Sequence, residues 1–224
     1  MERHFDEELK ILKERLLYAS GIAQQMISDS VKSLTDRNEA LIPEIYKKED
    51  EINRLEIEID DMAVKMMALH QPTAIDLRFL VGAIKINNEI ERMGDMAVNI
   101  CQAAAALIKQ PPLKPLLDIP RMAEIAGEMV KDSLDAFVRQ DAVLAKKVCE
   151  RDDEVDDLKD QIFRELLTFM ITDPNSIERA MDLILVSRHL ERIGDHATNI
   201  GEEVIFMVKG QDIRHHFAEQ EDKK

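Results

Sequence analysis

The sequence predicts an all-α protein built as two tandem three-helix bundles, with six long helices related by an internal duplication. Three observations carry this. Glycine and proline number only 7 each and tryptophan is absent, while Leu, Ile, Ala, Met, Glu and Lys dominate, a composition that favours long helices over sheet. Four of the seven prolines fall in "QPPLKPLLDIP", residues 110–120, and no helix can run through such a run, because proline lacks the backbone donor and clashes with the preceding turn. The halves on either side repeat. At an offset of 100, Asn88–Ile100 aligns with Arg188–Ile200 and seven of 13 positions are identical, where unrelated composition gives about one. At an offset of 103, "MISDSVKSL" meets "MVKDSLDAF" and "EDEINRL" meets "DDEVDDL".

The elements follow in order. In the first half the helical patterns run over 5–36, 39–69 and 74–109. Asn38 and Asp141 hold equivalent places and are good N-cap residues for the second helix of each half. Pro43 lies too deep for an undisturbed helix, so a late start or a kink is expected there. Thr73 after Pro72, and Asn175 with Ser176 after Pro174, mark the start of each third helix. Helices of this length span about 45 Å, and their short connections make neighbours antiparallel. The expected organisation is residues 1–109 as the first repeat, 110–120 as a Pro-rich linker, 121–209 as the second repeat and 210–224 as a polar tail. His215 and His216 in that tail read as solvated.

Composition also bounds function. The formal net charge is -15, so nonspecific neutralisation of phosphates by Lys and Arg is excluded and nucleic acid is not an expected partner. Cys101 and Cys149 are isolated and read as two reduced thiols of a cytosolic protein. The opening "MERHFDEELK" lacks the apolar core of a signal peptide. The longest uncharged run, Met96–Ile108, is too short to span a membrane. No phosphate-binding loop, G-x-S-x-G, HExxH or Rossmann glycine pattern is present, so the sequence offers no catalytic residues.

The repeated segment holds the candidate site. Ile86, Ile90, Met93, Ala97 and Ile100 recur at steps of 4 and 3 and form one apolar seam, and Val186, Leu190, Ile193, Ala197 and Ile200 repeat it. Gly94 and Gly194 lie beside the seam. A mid-helix glycine costs about 1 kcal/mol relative to alanine, and two equivalent ones point to a close approach by a neighbouring helix.

Glu91, Asp95 and Asn99 share one face, as do Glu191, Asp195 and Asn199. A single such stripe reads as a solvated face. Its repetition, while Met96 becomes His196 and Val98 becomes Thr198, reads as a site. Asp152 and Asp156 on the second helix form another pair at this spacing; Glu49 and Asn53 are their first-half equivalents. Facing carboxylates without a basic partner cannot all stay ionised, and a bound cation relieves them. Oxygen-only ligands suit Mg, Ca, Mn or Fe. The candidate metal ligands are therefore Glu49, Glu91, Asp95, Asp152, Asp156, Glu191, Asp195 and Asn199. Arg92 and Arg192 could instead neutralise the acids. The Glu-x-x-His signature of di-iron bundles is absent, and His196 reads as a surface or interhelical residue.

These motifs resemble the PhoU family over nearly the whole chain. The residues that carry the likeness are "QPTAIDLR" (71–78), "ERMGD" (91–95), "DP" (173–174), "ERIGDHATNI" (191–200) and "VKGQDIRH" (208–215), together with the duplicated layout. The resemblance implies two three-helix bundles, often dimeric. It implies divalent or iron-type metal ions at Glu91 with Asp95, Asp152 with Asp156, and Glu191 with Asp195. It also implies a non-enzymatic role, coupling a phosphate ABC transporter to a sensor histidine kinase from the cytoplasmic side, with the membrane reached only through the transporter. The transporter contact is expected on its ATPase subunit. Two other readings stand beside it: a metal-dependent carboxylate-cluster enzyme or metal store, and a purely structural helical scaffold.

Overall fold

A computed structural model describes residues 2–210, and no strand occurs among them. The tail beyond Gly210, with His215 and His216, lies outside the described residues. The first half contributes α1 (Glu2–Thr35), α2 (Ile42–His70) and α3 (Ala74–Ile108). The second contributes α4 (Asp118–Arg139), α5 (Ala142–Glu150), α6 (Asp152–Thr172) and α7 (Ile177–Lys209). The fold is two three-helix bundles in tandem, with one departure from six uninterrupted helices. The second helix of the second half breaks at Arg151, which caps both α5 and α6. There the ladder tightens: the Arg151 N–H donates to the Val148 carbonyl at 3.1 Å. The Arg151 guanidinium is held by Glu128 at 2.6 Å and by Asp132 at 3.7 Å, both on α4.

The helix starts are chemical. Asn38 accepts from the Ala40 N–H, and Asp141 accepts from both Val143 and Leu144. α2 starts late: a short 3-10 turn over Glu39–Leu41 precedes it, and Pro43 falls in its first turn, where no backbone donor is needed. Just before each cap, Arg37 (φ 53°) and Gln140 (φ 55°) take the left-handed conformation that closes the preceding helix. α4 begins inside the proline-rich stretch, at Asp118, with Pro120 in its first turn. Arg37 bridges α1 to the far end of α3, donating to the carbonyls of Ile108 and Gln110.

The ten residues of the two apolar seams are fully buried. The halves share a core because α3 packs along α7 and α1 along α4. Phe79 of α3 stacks on Phe137 of α4 at 4.6 Å between ring centroids, sealing that joint. Among the described residues no helix is long and apolar enough to cross a membrane.

Candidate functional site

The two repeated glycines set the spacing of the site. A methyl group at Gly94 would meet Ile52 Cδ1 at 3.3 Å and Met26 Cε at 3.8 Å. One at Gly194 would meet Asp152 Oδ1 at 3.4 Å, Val155 Cγ1 at 3.5 Å and Met129 Cε at 3.7 Å. Ile52 and Val155, like Met26 and Met129, are equivalent at the offset of 103. In each half, then, the glycine draws the second helix against the third at the level of the acidic stripes.

In the second half α6 supplies Asp152 and Asp156 and α7 supplies Glu191 and Asp195. Burial, then the charges of Asp195 and Asp156, push the Asp152 carboxyl up to about 6. Asp195 sits at the exposed edge, and it too is raised, by partial desolvation and then by Glu191 and Asp156. The cluster also contains a base that the sequence reading did not pair with these acids. Lys159 Nζ lies 3.0 Å from Asp156 and 3.3 Å from Glu191, spanning the two helices, with Asp160 at 3.7 Å. Its hydrogen bond to Asp156, then the Glu191 charge, raises the lysine in turn, against desolvation.

In the first half α2 supplies Glu49 and α3 supplies Glu91 and Asp95. Desolvation and then Asp95 raise Glu49. Desolvation, then Asp95 and Glu56, raise Glu91, with Arg92 opposing. Glu56 is the member the sequence reading missed. It stands where the second half has Lys159, one residue beyond the aligned "EDEINRL" segment, which is where the signal lay. Among the described residues none of Glu49, Glu56, Glu91 and Asp95 enters an ion pair. The arginines do not neutralise the acids by contact: Arg92 donates instead to Asn88 at 3.0 Å, and neither Arg92 nor Arg192 forms an ion pair among the described residues.

Asn199 lines one groove with Asp195 of its own helix and with Glu91 and Asp95 of α3. It donates to Glu89 of α3 at 3.2 Å, and His196 Nδ1 meets the same oxygen at 2.6 Å. His196 is thus an interhelical residue joining the halves. Burial pushes the Glu89 carboxyl up, but its bonds to His196 and Asn199 outweigh that and leave it below the usual range. Close by, Lys85 of α3 grips both oxygens of the buried Glu203 at 3.0 Å. Because α3 and α7 run antiparallel, the inner edges of both acidic stripes open on one groove of about 530 Å³. Glu91, Arg92 and Asp95 line it from α3; Arg192, Asp195 and His196 line it from α7.

Facing carboxylates at a helix–helix joint are a donor set for a hard cation, and their chemistry fits one. No three His, Cys, Asp or Glu among the described residues stand ready-made around a metal position. A cation would have to draw the Glu and Asp side chains inward by rotation about their own side-chain bonds.

Two fused three-helix bundles, joined along their third helices and carrying a glycine-spaced acidic stripe in each, define a class of duplicated helical proteins. The PhoU domain profile matches residues 16–104 and again residues 119–204. The chain belongs to the PhoU family. It is 43% identical to the phosphate-specific transport system accessory protein PhoU homolog of Aquifex aeolicus, over 93% of this chain and 95% of that one. The corresponding protein of Pseudomonas aeruginosa is 36% identical over 96% of this chain and 89% of its own. The crystal structure of PhoU from Pseudomonas aeruginosa superposes with a TM-score of 0.88 at 36% identity, covering 92% of this chain and 100% of that one. The phosphate transport system regulatory protein PhoU from Streptococcus pneumoniae, at 24% identity, shares the fold with a TM-score of 0.84 over 93% of this chain and 98% of its own.

Proposed function

We propose that this protein is a non-enzymatic accessory regulator of phosphate uptake and of the phosphate-starvation response. It couples a phosphate ABC transporter, through the ATPase subunit, to a sensor histidine kinase. The observation that carries the reading is the likeness over 93% of the chain to a protein named as an accessory of phosphate-specific transport. In this reading it works as a homodimer at the cytoplasmic face, held at the membrane by the transporter. Long helical faces suit contact with other proteins, and the acidic surface keeps nucleic acid away.

The carboxylate clusters serve this role as cation sites. Glu49, Glu91 and Asp95 would hold an ion between α2 and α3; Asp152, Asp156, Glu191 and Asp195 would hold one between α6 and α7. The ion supplies fixed positive charge that ties a second helix to a third.

Deleting the gene from its host is the direct test. Alkaline phosphatase expression should rise in high phosphate and return to its repressed level when the gene is supplied on a plasmid. Expression that stays repressed after deletion would sink the reading.

A further inference from the structure

On the outer side of the second half, α6 and α7 leave apolar side chains uncovered. Phe163, Leu167 and Ile171 recur every four residues along α6, and Ile177, Met181 and Leu185 do so along α7. All six are between 40% and 76% exposed. At about 200 Å² for a fully exposed side chain of this size, they present about 500–600 Å² together, as much as the largest patches on monomers. We infer that this face is the docking surface for a second copy of the chain, paired antiparallel so that Glu178 of each copy meets Arg188 of the other. The inference gives the homodimer of the proposed function its interface, and rests on that reading.

A two-fold dimer needs a surface that complements itself under rotation. Along α7, an axis crossing the helix at the level of Leu183 exchanges Glu178 with Arg188 and Met181 with Leu185. Acid then faces base, and apolar faces apolar. Glu178 and Arg188 are both exposed, and neither forms an ion pair among the described residues. Along α6, an axis at Leu167 exchanges Phe163 with Ile171 and sets Leu167 against its own copy. The two axes are one. α6 and α7 run antiparallel about the turn at Asp173–Ser176, and Phe163 shares a cleft with Ile184, Ser187 and Arg188. Leu167, one turn nearer the connection, is therefore level with residues 180–184 of α7. With the polar side chains at its margin the face reaches about 800 Å² per copy, the size of a stable interface.

The first half shows that the fold itself does not require this face. Its equivalent positions hold Asp60, Val64 and Ala68 on α2, and Leu77, Val81 and Lys85 on α3. Arg78 and Asn88 stand where the second half has Glu178 and Arg188. The same rotation there sets Val81 against Lys85 and Arg78 against Asn88, with no charge matched. Pairing through the second half alone closes a dimer and leaves no equivalent surface to extend it into a chain.

Sedimentation velocity of the full-length chain over a range of concentrations tests this, with far-UV circular dichroism checking that each variant folds. The wild type should dimerise. Met181→Asp should weaken dimerisation by about a hundredfold. Leu167→Lys, which sets two ammonium groups against each other on the axis, stands in should that variant fold poorly. Glu178→Arg and Arg188→Glu should each weaken dimerisation by about tenfold or more, since symmetry makes every substitution act twice. The two together should restore it to within about threefold of the wild type. Under diamide, Leu167→Cys should cross-link to its own copy, and Val64→Cys, its first-half equivalent, should not. A wild-type dimer that none of these substitutions weakens, with no Leu167→Cys cross-link, overturns the face and leaves the homodimer reading intact. A wild type that stays monomeric at every concentration overturns both.

Discussion

Around Gly94 the first half places Ile52 and Met26; around Gly194 the second places Val155 and Met129. Ser30 and Ser133, equivalent and both buried, each donate to the carbonyl three residues back at 2.8 Å. The apolar and backbone-satisfying positions agree between halves because each half must close the same three-helix core. Charged positions agree only in part: Glu91 and Asp95 repeat as Glu191 and Asp195, but their surroundings differ. Lys159 faces Asp156 and Glu191 where the first half has Glu56, and Glu89 is tied to His196 where the mirrored positions are His189 and Met96. Duplicated packing tolerates little change, whereas charges at the joints are free to diverge. Exchanging residues between halves tests this directly.

The largest effect is expected where the packing itself differs. Gly201 of α7 lies so close to α5 that a methyl group there would meet the Ala145 carbonyl oxygen at 3.0 Å and Cys149 Sγ at 3.1 Å. The first-half equivalent is Cys101, which is fully buried. Gly201→Cys, the first half's own residue, should therefore cost about 2–3 kcal/mol, because backbone cannot yield as a side chain does. A lower urea midpoint with an unchanged slope would record it. Gly94→Ala makes the contrast: only an Ile52 methyl at 3.3 Å must move, and a gain of about 1 kcal/mol in helix propensity opposes the cost. It should be close to neutral.

Next comes the one-sided polar joint. Lys85 grips Glu203, which is only 8% exposed, whereas its second-half equivalent is Leu185. Lys85→Leu leaves a mostly buried carboxylate without its partner. Unpairing a buried ion costs about 3–5 kcal/mol. Lys85 is itself 46% exposed, which lowers the expected loss to about 1–2 kcal/mol. The converse substitution Leu185→Lys, on a 40% exposed residue, should change stability by less than about 0.5 kcal/mol. Thermal unfolding of both variants decides whether the joint is as one-sided in energy as in structure.

Both seams, the late start of α2 and the role of the glycines were legible in the sequence, because period, proline and repetition act locally. The acidic stripes were legible for the same reason. Their partners were less so. Glu56 and Lys159 become readable only when the alignment of halves is carried one residue further. The bond between Glu89 and His196 joins residues 107 apart, and no local pattern marks it. Arg37 and Gln140 adopt positive φ without being glycine or asparagine, so turn chemistry gave no warning. At the break, Arg151 pairs with Glu128 and Asp132 of another helix, contacts that no local pattern marks.

A pH dependence separates the charged clusters from the packing around them. Asp152 binds its proton up to about pH 6 in the folded chain, against a reference of 3.8. Between those values the folded state holds more protons than the unfolded one, so this group's contribution to stability falls as pH rises from about 4 to about 6. Above that window the ionised carboxylate is a standing cost. Asp152→Asn should therefore stabilise the metal-free protein at pH 7.5 by about 1 kcal/mol, after discounting for solvent screening, and not at pH 4. Glu49 is displaced in the same direction, so Glu49→Gln should share the sign. Urea titrations at both pH values, with chelator present, provide the check. A gain of equal size at both would mean that the cause is packing rather than charge.

The smallest difference lies in the caps. Asp141 accepts from two backbone N–H groups, Val143 at 2.9 Å and Leu144 at 3.0 Å, and its charge favours the positive end of α5. Asn38 accepts from one, Ala40 at 3.0 Å, and carries no charge. Asp141→Ala should then cost about 1 kcal/mol and Asn38→Ala about half of that. The ranking follows from the number of orphaned donors each substitution leaves, two against one, since exposed donors recover part of the loss from water. Salt sharpens it further. Raising ionic strength screens the interaction of the Asp141 charge with the helix end, so the gap between the two variants should narrow toward the neutral-cap value. If Asn38→Ala proved the costlier, α2 would depend on its cap more than its single hydrogen bond shows. The 3-10 turn over Glu39–Leu41 would then be the element that fixes where the first half's acidic stripe begins.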